Sequence, residues 1–102
     1  MTHSLASIAS SFGTPTYVYD AAAIRRSFSR MDEALGAIPH LVCFAVKANP
    51  NLSVLALLKD AGSGFDVVSE GELRRVLRVE VDPERIVFSG VGKTRRELRL
   101  AV

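Results

Sequence analysis

The 102-residue sequence predicts an α/β fold built on a parallel sheet. Three observations predict it. Helix-period segments alternate with strand-type segments along the chain, and the strand-type segments are continuous apolar runs, as strands covered on both faces are. They also recur about every twenty residues, the length of a βα unit. Composition supports a folded unit, with 48% hydrophobic and 24% charged residues and a net charge of +2. That balance excludes a disordered chain, and 7 glycines exclude a collagen-like one. The single cysteine, Cys43, cannot support a disulfide framework or a multi-cysteine zinc site. No segment reaches the eighteen or so apolar residues of a membrane span, and Met1 to Ser11 lack the basic flank and apolar core of a signal peptide. A cytoplasmic location is therefore expected.

Residues 1–13 are expected to be a flexible N-terminus, with the folded part running over 14–102. Asp20 can cap a helix from about Ala21 to Leu35, in which Ile24, Phe28, Met31 and Leu35 fall at steps of three and four. Gly36 and Pro39 end it, and Leu41 to Val46 then reads as a buried strand. Asn51 to Ala61 reads as a second helix, closed by Gly62, and Phe65 to Val68 as a second strand. Ser69 and Glu72 have the spacing of a capping box, opening a helix that should carry Leu73, Val76 and Leu77 inward until Asp82-Pro83. Ile86-Val87-Phe88 is the third strand. Thr94 and Glu97 repeat the capping-box spacing at the head of a last helix carrying Leu98 and Val102. Right-handed crossovers make such a sheet parallel. Three βα units are too few to close a (β/α)8 barrel, which takes about 250 residues. The pattern is that of a small open domain or of the first part of a larger one, and its stop within a helix favours the second.

Lys47 follows the first apolar strand directly, at the carboxyl end of a parallel strand, where α/β folds bind ligands. The apolar run before it would desolvate the amine, and a partly neutral amine can form a Schiff base. Position alone is equally met by a strand-end lysine reaching into solvent. Asp66 interrupts an apolar strand, which is costly unless the acid is paired, and Glu72 falls in the first turn of the next helix on the same side. Together they could hold a lysine or a cofactor amine. A structural acid and a plain capping box meet the same pattern.

Three ordered strings carry a resemblance: Phe44-Ala45-Val46-Lys47-Ala48-Asn49, Gly64 to Leu73, and Ile86 to Thr94. With Thr14 to Asp20 before them, they resemble the amino-terminal part of the pyridoxal-phosphate-dependent decarboxylases of the alanine-racemase-like barrel class, and most of all the branch acting on diaminopimelate. The resemblance implies a partial (β/α)8 barrel, here its first three βα units. It implies that Lys47 holds pyridoxal 5'-phosphate as a Schiff base, with Ala45, Asp66, Ser69 and Glu72 lining the cofactor site. It further implies decarboxylation of meso-diaminopimelate to lysine, an amino acid as substrate, and a homodimer for a full-length protein. The family usually supplies a glycine-rich phosphate loop, an acid for the pyridine nitrogen and a β domain with a catalytic cysteine from later in the chain. Cys43 precedes the lysine and is no candidate for that cysteine. Val79-Glu80 stands where the family tends to have Ala-Gly, and a non-glycine residue at a left-handed C-cap costs on the order of 1 kcal/mol.

Rival readings are a sister decarboxylase acting on ornithine, arginine or carboxynorspermidine, and a cofactor-binding piece without turnover. The ornithine branch usually has a cysteine after the lysine motif, where this chain has Ala48. The 102 residues alone are expected to be at best a poor catalyst. Gly90-Val91-Gly92-Lys93-Thr94 ends like a phosphate-binding loop, but that motif needs glycine at position 87, which is valine. The arginines at 74, 75, 78, 95, 96 and 99 interleave with glutamates, as on a solvated helix face, so no nucleic-acid partner is expected. His3 and His40 are assigned no role, and no metal site is expected.

Overall fold

The computed structural model describes residues 3–102. Helix α1, Leu5–Phe12, forms within the segment expected to be flexible; the Ser4 hydroxyl accepts from the Ser7 amide at 3.1 Å, and none of its residues is buried. Leu5, Ile8 and Phe12 fall at helical steps, but their stripe buries nothing against the core, with Leu5 and Phe12 68% and 80% exposed. Helix α2 spans Ala21–Leu35 as expected, with the Asp20 carboxylate accepting from the Ala22 and Ala23 amides at 3.0 and 3.2 Å. Those bonds, the Ala23 one foremost, hold the Asp20 carboxyl below the usual range. Of its predicted stripe, Phe28 is buried and Ile24 packs against the core, while Met31 and Leu35 remain exposed. After Gly36 the chain is tied back by His40, whose ring contacts the Ile38 carbonyl at 2.5 Å and Asp32 Oδ1 at 2.7 Å. Both contacts are donations when the imidazole is protonated. The Ile38 carbonyl first and the Asp32 carboxylate second therefore raise its pKa.

Strand β1 pairs only over Cys43–Ala45, and the expected run ends earlier than Val46 because Val46–Ala48 turns into a short 3-10 helix. Val46 is fully buried at that turn. Helix α3, Leu52–Ala61, is capped by Asn51 and closed at Gly62 with φ 102°, the left-handed conformation that glycine adopts without strain. Strand β2 is Gly64–Val67, α4 is Glu70–Arg78, β3 is Ile86–Phe88 and α5 is Arg95–Ala101. The sheet has the order β1-β2-β3 and is parallel throughout, with Ala45, Asp66 and Val87 in one register row.

Alternation along β2 gives the sheet two unlike faces. Phe65 and Val67 are fully buried with Val46, Leu55, Leu58, Leu73 and Val76 beneath the helices, and Phe44 meets Phe65 edge-on at 6.5 Å. Asp66 and its row partners Ala45 and Val87 point to the other side, where Val87 is 49% exposed. Gly64 shares that side and leaves no room for a side chain: a Cβ there would lie 2.8 Å from Cys43 Sγ and 2.9 Å from the Arg85 carbonyl oxygen.

The later helices depart from expectation in which residues they bury. Leu73 and Val76 are buried, but Leu77 is 40% exposed, and on α5 it is Leu100 that packs on the core while Leu98 and Val102 face out. The three-to-four step of α4 points one side of the helix at the sheet, and Leu77 falls beside that side rather than on it. α4 ends before Asp82-Pro83, because Glu80 takes φ 62° and its amide donates back to the Leu77 carbonyl at 3.0 Å. The heads of α4 and α5 are joined reciprocally. Glu97 accepts from the Glu70 amide at 2.9 Å, and Glu70 accepts from Arg96 Nε at 2.8 Å and from Arg74 Nε at 3.2 Å.

Candidate functional site

The carboxyl ends of the three strands gather the polar groups that the apolar core excludes. Lys47 lies in the turn after β1, where the buried Val46 anchors the backbone and the lysine side projects to solvent. It is exposed rather than desolvated by the strand before it, and it has no hydrogen-bond or ion-pair partner among the described residues. A three-residue turn leaves a long side chain free to swing, so the amine is available to a ligand.

Asp66 stands one strand away, in register with Ala45, two residues before Lys47. It is half-buried, and the cost of burying a carboxylate is met by the Ser89 hydroxyl, which donates to Oδ1 at 2.5 Å. Oδ2 has no partner among the described residues. Ala45 beside it is the smallest side chain of the row and leaves space above the strand ends. Asp66 also acts backward along the sheet: burial first, and the Asp66 charge second, push the Cys43 thiol up, away from nucleophilic character.

Ser69 caps α4, its hydroxyl accepting from the Glu72 amide at 3.2 Å. The expected box is altered. Glu72 Oε1 accepts from the Val68 amide at 3.3 Å, one residue before the cap, while Oε2 accepts from the Ser69 hydroxyl at 3.3 Å. Glu72 is thus engaged at its own helix end, and the structure gives it no contact to Lys47. The box at Thr94 is complete, with the Thr94 hydroxyl accepting from the Glu97 amide and Glu97 accepting from the Thr94 amide, both at 3.1 Å. Those bonds, with the Thr94 amide first, hold the Glu97 carboxyl below the usual range. A phosphate at this loop would have to displace a carboxylate already bound there. Lys93 donates to the Gly90 carbonyl at 2.8 Å and lies 5.4 Å from the Phe88 ring centre, turned into its own loop.

A cavity of about 590 Å³ lies elsewhere. It is an apolar groove between α2 and β1, lined by Ile24, Phe28, Val42, Phe44 and Leu58, and of the candidate residues it touches only Ala45. Its lining is mostly apolar, whereas the candidate lysine and acids stand at the strand ends. No cluster of three metal-ligating side chains occurs among the described residues, and no helix there is long and apolar enough to cross a membrane. Ser89 is the residue that sequence reasoning missed. Its signal lay in the register, since the residue after β3 faces the same side as Val87 and hence Asp66.

The fold and site define an α/β chain with an exposed lysine and a half-buried carboxylate at the carboxyl ends of adjacent parallel strands. Known proteins narrow that class. The family description "Pyridoxal-dependent decarboxylase, pyridoxal binding domain" matches residues 21–102, and the chain belongs to this family. It is 57% identical to the diaminopimelate decarboxylase of Pseudomonas aeruginosa over 98 residues, which covers 96% of this chain and 24% of that protein. Its identity to the diaminopimelate decarboxylase of Vibrio cholerae is 53%, with the same coverage. The solved structure of diaminopimelate decarboxylase from Helicobacter pylori complexed with L-lysine superposes with a TM-score of 0.90 at 43% identity, covering 96% of this chain and 25% of that one. Diaminopimelate decarboxylase from M. jannaschi gives 0.93 at 36% identity, covering 96% and 24%. The chain spans about a quarter of the length of the relatives it matches.

The donor set fits the reactive end of pyridoxal phosphate: a primary amine, without a partner among the described residues, for its aldehyde, and a carboxylate on the next strand that could balance positive charge on the lysine nitrogen. It does not provide for the phosphate end, since the heads of α4 and α5 hold the carboxylates of Glu72 and Glu97.

Proposed function

We propose that Lys47 holds pyridoxal phosphate as a Schiff base, with Ala45, Asp66, Ser69 and Glu72 around it. The whole protein is then a carboxy-lyase that converts meso-diaminopimelate to lysine. The observation that carries this reading is the free amine of Lys47 at the end of β1, one strand from an Asp66 carboxylate with an uncommitted oxygen. When bound, the cofactor supplies a conjugated pyridinium that takes up the electron pair left at the substrate Cα as carbon dioxide departs. Lys47 binds and releases the cofactor's carbonyl carbon. Asp66 supports positive charge on the Lys47 nitrogen, and Ala45 leaves room for the ring. Ser69 and Glu72 fix the backbone of the loop after β2.

On the same reading residues 14–102 are the first three βα units of a (β/α)8 barrel of the alanine-racemase-like class. The protein is a cytoplasmic homodimer in lysine biosynthesis, taking a small amino acid as substrate. A second reading, cofactor binding without turnover by the 102 residues, is favoured by the sheet, whose β1 and β3 each have one unpaired edge among the described residues.

Reduction of the purified chain with borohydride in the presence of pyridoxal phosphate, followed by peptide mapping, tests the cofactor assignment. Label concentrated at Lys47 and lost in Lys47→Ala supports it. Label spread over Lys59 and Lys93 refutes it. Release of carbon dioxide from meso-diaminopimelate by the same material separates the catalytic reading from binding alone.

A further inference from the structure

From the geometry we infer that Ser89 is a positioning residue for the cofactor site: its hydroxyl fixes Oδ1 of Asp66 so that Oδ2 faces the space beside Lys47. The inference rests on the reading of Lys47 as the cofactor lysine. Its ground is the contact itself, 2.5 Å between the hydroxyl of the residue after β3 and a carboxylate on β2, 23 residues apart. That length belongs to a charge-assisted O–H···O bond, the stronger kind.

Two further features make Ser89 a fixed point. Its amide donates to the Val67 carbonyl at 2.9 Å, so the β2–β3 ladder continues one residue past Phe88 and holds the Ser89 backbone on the β2 frame. Its side chain has one rotatable bond to the hydroxyl-bearing carbon, so a fixed backbone largely fixes the oxygen. A half-buried aspartate without this donor would turn about its own side-chain bonds. It would then divide its time between the site and solvent.

Other groups near the strand ends do not share the task. The Ser69 hydroxyl is committed to Glu72, and the Lys93 amine to the Gly90 carbonyl. Cys43 lies in the same strand as Ala45 but at its amino end, in register with Gly64. Among the described residues Ser89 alone bonds the Asp66 carboxylate. The inference therefore concerns how the acid is aimed and not whether it is present.

The test is a pH titration of the visible absorption of the lysine-bound cofactor in the 102-residue chain, read as the midpoint of the band. A carboxylate near the nitrogen favours its protonated form, so Asp66→Asn should move the midpoint down by about one pH unit. Ser89→Ala should move it the same way by about half as much, and Ser89→Thr, which keeps the hydroxyl, should leave it in place. In the Asp66→Asn background Ser89→Ala should add nothing, because its effect passes through the acid. An unchanged midpoint in Ser89→Ala, or a shift that adds fully to that of Asp66→Asn, overturns the inference. Ser89→Cys, close in size and a weak donor, replaces the alanine variant if that variant does not fold, and carries the same expected shift. Peptide mapping of the unsubstituted chain is done first. Label at Lys47 with a wild-type midpoint in Ser89→Ala sinks the role of Ser89 alone, whereas absence of label at Lys47 sinks the cofactor reading beneath it.

Discussion

Replacing Glu80 with glycine should stabilise the fold, and the structure supplies the magnitude. Glu80 has φ 62°, is exposed, and makes no side-chain hydrogen bond among the described residues. Its contribution is therefore almost entirely backbone. A non-glycine residue in the left-handed region is disfavoured by about 1–2 kcal/mol, because its Cβ crowds the following carbonyl. Glycine removes that crowding but loses about 0.5–1 kcal/mol through the extra freedom of the unfolded chain. The net gain is about 0.5–1 kcal/mol, which for a domain of this size raises Tm by roughly 2–8 °C. Urea unfolding followed by circular dichroism should show a higher midpoint at unchanged slope. Glu80→Ala keeps the Cβ and should gain nothing, while Glu80→Asn, which tolerates this conformation better, should fall between. Equal gains from glycine and alanine would refute the backbone argument and assign the effect to removal of the charge.

Two other outcomes follow from the packing and the charges. Gly64→Ala places a methyl within 3 Å of Cys43 Sγ and of the Arg85 carbonyl, and should cost about 1–3 kcal/mol in urea unfolding; Cys43→Ala in the same chain should restore only part of the loss, because the carbonyl belongs to the backbone. Glu70 and Glu97 are held below the usual carboxylate range, Glu70 chiefly by its bond from Arg74 and Glu97 chiefly by the Thr94 amide. A lowered folded pKa means stability that is present above the unfolded value and is lost as pH falls through the folded one. As pH falls below the ordinary carboxylate range the α4–α5 contact should loosen. Amide exchange on α5 should report this, and Glu97→Gln should flatten the dependence.

The parts of the fold legible in the sequence are those with a cap, a period and a stop. α2 has Asp20, a three-to-four step and Gly36, and its bounds match; β3 is bracketed by Asp82-Pro83 and the Ser89-Gly90 turn and also matches. α1 reads as a loose terminus because its short stripe, Leu5, Ile8 and Phe12, has no partner in the core and buries nothing. The first strand looked longer than it is, since an apolar run does not distinguish Cys43–Ala45, which pairs, from Val46, which turns into the core. Leu77 and Leu98 show the limit of reading a face from spacing: each is apolar on an amphipathic helix, yet each falls beside the side turned to the core. The candidate lysine and acids could be placed at the strand ends from order alone. That Asp66 would be held by Ser89 could not, because the contact depends on the register of two strands and on which side each residue faces.

The arrangement of the three strands also ranks the site's components by lifetime. Asp66 sits on β2, the strand with a neighbour on each side, and releasing it means breaking ladders to both β1 and β3. Lys47 sits in a turn at the end of a strand with one neighbour, the kind of segment that opens first in native-state fluctuations. Among the described residues the candidate acid is thus held by ladders on both sides, and the candidate amine lies in the turn beyond a strand paired on one side. On the reading of Lys47 as the cofactor lysine, a ligand would meet a carboxylate fixed by the sheet before the amine closes on it.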